Sequence, residues 1–234
     1  MFDNETDLKA GYLFNESSGD LLDVTSNNND GTVYGATQGV TGQVGGAYSF
    51  DGVDDSVKVE SNFFPSGSSA TINLWVSIQG RGVSSWNIFV ELQDGSGNNR
   101  LGLYWDEDDY VWGAFDNNKG ALASLSPGGK PPLDEWHFWT IVSDGVNDEV
   151  SFLVDGVLEA SALGSGSWPD LRASIGRCYD QNDMSNIITS FVSFCSSALS
   201  YDEITALYDA TKSSPELFDQ EAAEITVADT DPAT

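Results

Sequence analysis

The sequence predicts an all-β domain, a two-sheet antiparallel sandwich with one short C-terminal helix. Three observations carry this. Runs at 71–78, 87–92, 101–105, 110–115, 138–142 and 150–154 are short, rich in β-branched and aromatic residues, and separated by Gly, Asp, Asn and Ser clusters. Long amphipathic helical periodicity is missing except from Ser200 to Ala210, where Ser200 is placed as N-cap and Glu203, three residues on, completes a capping box. At 234 residues, the chain suits one sandwich plus a tail, with roughly 70–75 % of its extended surface buried in one core.

The elements follow in order. Segment 47–59 pairs two alternating patterns, Tyr48 with Phe50 and Val57 with Val59, around an Asp51-Gly52 turn, which reads as a hairpin-like signal. In the run 101–105, Leu101, Leu103 and Trp105 share one face. Asp106-Glu107-Asp108-Asp109 reads as the tip of a hairpin into the next run. Alternation assigns no face to Trp86, Trp136, Trp139 or Trp168. The domain is expected to span 1–211. From 212 to 234 the chain turns acidic and rich in Ala and Thr, without core-forming periodicity, and is expected to be an extension that docks on a neighbour.

The landmarks also fall in a familiar order. They run from Leu13-Phe14-Asn15-Glu16 through Asp23 to Thr32, Phe50-Asp51-Gly52, Ile72 to Val76 and Trp136-His137-Phe138-Trp139. They continue with Asp144-Gly145, Phe152 to Gly156, Ser174 to Arg177, Ala198 to Ile204 and Leu207-Tyr208. This ordered set, covering about residues 8–211, resembles the laminin G-like, concanavalin A-like jelly-roll modules of microbial and viral surface proteins. The resemblance implies a jelly-roll sandwich and a packed role for Trp75. It also implies a structural role for His137, at a strand position where the family often carries a histidine.

Charge is the second signal. With 37 Asp and Glu against 9 Lys and Arg, the formal net charge is −28. Nucleic acid is a poor partner, since its phosphates would be repelled. The excess fits either a protein evolved for multimolar salt or an acidic surface for calcium or a basic partner. Carboxylates scattered along the whole chain, with scarce Lys, favour the first. No apolar run of about 18 residues occurs, so no membrane insertion is expected. The first five residues lack the basic and apolar regions of a signal peptide. Together these lead to an expectation of an extracellular, secreted or virion surface, the last because a protein released by lysis needs no signal. Cys178 and Cys195 lie on the last two predicted strands: a disulfide if those strands are neighbours, two buried thiols otherwise.

Catalysis on such a sandwich needs carboxylates projected to one face of a strand, as in Glu-x-Asp-x-Glu. That spacing is missing; Glu91 and Asp94, three apart, would face opposite sides. With His137 the only histidine, a Ser or Cys triad is poorly supported. The expectation is therefore a non-enzyme. For metal, the resemblance implies calcium near Asp23, Asn27, Asn29 and Asp30, completed in relatives by an Asp on a late strand where this chain has Ser190. An EF-hand fails, with Ser26 first and Thr37 twelfth. Asp51, Asp54 and Asp55 form a weaker second cluster, and turn formation explains both groups without an ion. For ligand, Trp105, Tyr110 and Trp112 bracket Asp106, Asp108 and Asp109: rings on which sugars stack beside carboxylates that accept their hydroxyls.

The expected function is thus a non-catalytic adhesion or glycan-binding module, in its most specific form a virion attachment or capsid-decoration protein of a virus infecting an extreme halophile. Its partner would be a surface glycan or glycoprotein, within a homo-oligomer or larger surface assembly. A purely structural oligomer building block and a laminarinase-like glycoside hydrolase are the alternatives.

Overall fold

The computed structural model describes residues 7–94, 99–106, 111–116, 120–124, 131–164, 167–178 and 183–212, with backbone alone for 99, 111–116 and 120–124. The strands are β1 Leu8–Tyr12, β2 Thr32–Tyr34, β3 Thr37–Thr41, β4 Gly46–Asp51, β5 Ser56–Phe64, β6 Ala70–Arg81, β7 Asn87–Gln93 and β8 Asn99–Trp105. They continue with β9 Val111–Asp116, β10 Gly120–Ser124, β11 Trp136–Asp144, β12 Glu149–Val154, β13 Val157–Leu163, β14 Leu171–Ile175 and β15 Ser185–Cys195, and α1 Tyr201–Lys212 closes the series. All six predicted runs are strands, most extended by a residue or more at their ends.

Two antiparallel sheets form a sandwich. Eight strands make the first, in the order β13-β12-β11-β6-β15-β4-β3, with β1 also on β15; seven make the second, β10-β9-β8-β7-β14-β5-β2. The long β15 organises the first sheet: one edge pairs with β6, while the other takes β4 at residues 186–189 and β1 at residues 192–195.

Alternation, interrupted at register shifts such as that between Ile88 and Val90, explains the core. From the first sheet Tyr48, Phe50, Ile72, Leu74, Trp139, Ile141, Val192 and Phe194 point inward; Val57, Val59, Val90, Leu92, Leu101, Leu103 and Trp105 meet them from the second. Each such fully buried apolar side chain contributes about 1.5–3 kcal/mol. Trp139 locks the layer edge-on against Phe89 at 5.5 Å and Phe152 at 5.3 Å between ring centres.

The hairpin expected at 47–59 is corrected. β4 and β5 alternate as predicted, yet they belong to opposite sheets, and residues 52–55 arch from one to the other. The corner is held by side chains rather than by a ladder. Asp51 Oδ1 accepts the Val53 amide (2.8 Å), Asp55 Oδ2 accepts the Asp51 amide (2.9 Å), and Gly52 takes φ 78°. A Cβ on Gly52 would lie 2.8 Å from the Gly82 backbone, so the corner docks where only glycine fits.

The outer face of the first sheet carries the helix. Ser200 Oγ accepts the Glu203 amide at 3.3 Å while Glu203 Oε2 accepts the Ser200 amide at 2.7 Å, the reciprocal pair of a capping box. Ile204 and Leu207 then pack on Trp75, Phe138, Leu153 and Phe191. Trp75 is packed as expected, but under the helix, where its Nε1 donates to Thr211 Oγ1 at 2.8 Å. Cys178 and Cys195 are buried thiols with no disulfide between them. β14, which precedes Cys178, and β15, which ends in Cys195, lie in different sheets, so the condition for a disulfide is not met.

Candidate functional site

Asp23 is a loop organiser. Its Oδ1 accepts the amides of Gly11 (3.0 Å) and Thr25 (2.9 Å); its Oδ2 accepts Thr25 Oγ1 (2.8 Å) and the Asn29 amide (2.9 Å). The four acceptor sites of a carboxylate are thereby filled by protein donors. Asp30 Oδ1 accepts the Asp23 amide at 2.9 Å. The side-chain amide of Asn27 donates to the carbonyls of Leu8 and Lys9, and that of Asn29 to Lys9. Calcium requires six to eight oxygens of its own. Asp23 is committed to protein donors and the segment is a hydrogen-bonded loop that pins β1; a calcium ion bound here would draw on Asp30 Oδ2 and the side-chain oxygens of Asn27 and Asn29. Ser190 is buried on β15, with Oγ accepting the Val44 amide at 3.4 Å.

Asp51, Asp54 and Asp55 do converge, with ligand atoms within 4.8 Å of one another, the one such group of three among the described residues. The bonds of Asp51 and Asp55 build the arch between the sheets. Burial, and then the charges of Asp51 and Asp54, push the Asp55 carboxyl up against the lowering bond from the Asp51 amide.

Two of the expected ligand-binding residues are corrected. Trp105 is 1 % exposed and sits in the inter-sheet core, with the Arg81 guanidinium 4.0 Å from its ring centre, so it has no open face for a sugar. Asp106, at the end of β8, is 5 % exposed. Asp108, Asp109 and Tyr110 lie outside the described residues. Trp112 is on β9, opposite Tyr104 of β8, and its side chain is likewise outside the description.

Sequence reasoning missed the polar cluster on the outer face of the second sheet. A register shift in β7 between Ile88 and Val90 leaves Val90 and Leu92 in the core and turns Glu91 and Gln93 outward. Glu91 is nevertheless 0 % exposed. Its Oε2 lies 3.7 Å from Arg100 Nη1, Tyr104 OH donates to Oε2 at 3.5 Å, and Ser174 Oγ donates to Oε1 at 3.2 Å. Arg100 Nη1 also reaches Cys178 Sγ at 2.9 Å. Burial and the Glu91 charge push the Tyr104 phenol well above its usual range, with Arg100 opposing. Asp183 is raised by burial, against the Arg100 charge and a bond from Ser84. The arrangement is a buried ion pair within a polar cluster, the Ser174 hydroxyl being shared between Glu91 Oε1 and the Arg177 carbonyl at 2.7 Å. The available signal was the Glu91/Gln93 period on β7 with Arg100 on the adjoining strand.

His137 Nδ1 lies 2.8 Å from Asp155 Oδ2, while Asp155 Oδ1 accepts the Phe138 amide at 2.8 Å. The pair ties β11 to the β12–β13 turn, where Asp155 adopts φ 52°.

Comparison with known proteins places this architecture. Domain 4 of AbnA, a GH43 extracellular arabinanase from Geobacillus stearothermophilus, solved with arabinotriose, has TM-score 0.67 at 19 % identity, covering 86 % of this chain and 98 % of that one. Trypanosoma rangeli sialidase has TM-score 0.66 at 19 % identity, covering 88 % of this chain, which spans 33 % of the sialidase chain. The binding domain of Botulinum neurotoxin serotype D has TM-score 0.63 at 16 % identity over 88 % of this chain and 51 % of its own. At these identities the likeness is one of fold. No curated protein matches the sequence. The family model described as concanavalin A-like lectin/glucanases superfamily matches residues 51–205, well over half of the chain. The chain therefore belongs to the concanavalin A-like lectin/glucanase superfamily.

Proposed function

We propose that this domain is a non-catalytic adhesion module that binds glycans. The observation that carries the reading is Glu91. On this face of β7 the carboxylate is buried in an ion pair with Arg100, and the side chain two residues on is the neutral Gln93. A glycosidase acid or nucleophile must reach its substrate and needs a partner carboxylate about 5–10 Å away. The fold neighbour of matching extent, domain 4 of the arabinanase, was solved with arabinotriose, which supports a glycan as the ligand class. The experiment is a glycan array in high salt, arabinotriose included, with the bound glycans assayed for cleavage. Binding without cleavage is expected, and cleavage that Glu91→Gln abolishes would restore the hydrolase reading.

The narrower reading places the module on the surface of a virion infecting an extreme halophile. Its support is the −28 charge, which multimolar salt screens within about 3 Å. The acidic segment 212–234 would act as the docking arm of an oligomer, and truncation after Lys212 followed by light scattering tests it. An unchanged mass would remove the arm from assembly.

A further inference from the structure

We propose that the cleft between the outer face of β11–β12 and the first turn of α1 binds a neutral sugar residue. The inference rests on the glycan-binding reading and gives it a place. The cleft has a volume of about 390 Å³, inside the roughly 300–1,000 Å³ of small-molecule sites. Its walls combine the two features that sugars select. Tyr201 is 41 % exposed and offers an aromatic surface for the apolar side of a sugar ring. Asp144, Glu149 and Glu203 offer carboxylate acceptors for hydroxyls, with Asn147 and Ser151 between them.

These groups are held in place before a ligand arrives. Ser151 Oγ bonds Tyr201 OH at 2.9 Å and Glu149 Oε1 at 3.2 Å, which fixes the phenol across the cleft. Asp144 is locked by the Val146 amide at 2.9 Å and the Asn147 side-chain amide at 2.6 Å, and Glu203 by the capping box. Glu149 Oε2 and Glu203 Oε1 are left without a protein donor among the described residues, as acceptors for a ligand. Fixed groups lose little entropy on binding. The Asn147 amide holds the Asp144 carboxyl below its usual range, and Ser200 does the same for Glu203, so both remain acceptors into mildly acidic solution. Three like charges around one cleft repel uronates and sialic acids, which leaves neutral sugars.

The test is amide chemical-shift mapping of the full chain with the tightest neutral glycans of the array, and with putrescine as a cationic probe, in 0.5 M and 3 M KCl. Shifts should concentrate at Asn147, Ser151 and Tyr201 in the wild-type protein, a readout independent of any variant's folding. Tyr201→Ala should weaken binding roughly three- to tenfold, and Tyr201→Phe, which keeps the ring, by less than about twofold. Affinity for a neutral sugar should be the same in both salts, because no net charge is screened. Glycan shifts mapping elsewhere, or unchanged affinity in Tyr201→Ala, overturn the site and leave the glycan reading standing. Binding of putrescine alone, lost at 3 M KCl, overturns the site as an acidic patch only. No glycan binding by the wild-type protein overturns both.

Discussion

Replacing Glu91 with Gln keeps the shape of the side chain and removes its charge, which separates a structural carboxylate from a catalytic one. In the native fold Glu91 is 0 % exposed and its Oε2 lies 3.7 Å from Arg100 Nη1. The Arg100 side chain is itself only 8 % exposed, so the variant leaves a buried guanidinium without this counter-charge. Breaking a buried pair from one side costs about 3–5 kcal/mol. The contact is long, and Asp183 still interacts with the Arg100 charge, which places the expected loss near the lower end, about 3 kcal/mol. For a domain of this size each kcal/mol moves Tm by about 2–4 °C, so Tm should fall by roughly 6–12 °C. Urea unfolding, with an unchanged m-value, gives the free energy directly. The double variant Glu91→Gln/Arg100→Gln should recover at least about 1 kcal/mol, since both members of the pair are then neutral. An active-site carboxylate behaves in the opposite way, because functional sites are kept at a cost in stability. Unchanged or higher stability in Glu91→Gln would refute the buried-pair reasoning.

Ser200→Ala removes the N-cap and should cost about 1 kcal/mol by chemical denaturation. Glu203 titrates with a lowered pKa in the fold, so its contribution is present above the unfolded pKa and lost as pH falls through the folded value. Between pH 6 and 3 the wild-type protein should therefore lose its stability advantage over Glu203→Gln, and a constant difference would contradict the assignment. The −28 charge predicts a Tm that rises steeply from 0.1 M to 2 M KCl, as the Debye length shrinks from about 10 Å to under about 3 Å. Millimolar calcium should not substitute, because the Asp23 carboxylate is filled by protein donors; full rescue by calcium without KCl would overturn that account. Burial pushes the Cys195 thiol up to about 12, and Cys178 is equally enclosed. A thiol reagent should leave both unlabelled in the native protein and label both in denaturant, without prior reduction.

What could be read from the sequence was whatever depends on near neighbours. Period-two alternation put Tyr48 with Phe50, and Val57 with Val59, on common faces because the pleat is a local property, and those faces are the ones the structure buries. The capping box was legible because Ser200 and Glu203 are three residues apart. Pairing was not legible. Whether the residues after Asp51 turn back as a hairpin or arch to the other sheet depends on β15 and β14 taking β4 and β5 as partners from far along the chain. The ligand reading failed at Trp105 for a related reason. Its shared face with Leu101 and Leu103 was visible, yet which face met the other sheet was settled only by packing. Glu91 and the Tyr201 cleft depend on segments brought together over 83 and 50 positions, through Ser174 and Ser151 respectively.

The central claim, glycan binding without hydrolysis, is tested most directly by frontal affinity chromatography of a glycan library over the immobilised protein in 2 M KCl, with mass spectrometry of each eluting glycan. The account predicts that a subset of neutral glycans is retarded and leaves the column at its original mass. Elution of every glycan at the void volume, or the appearance of shortened products, would contradict it.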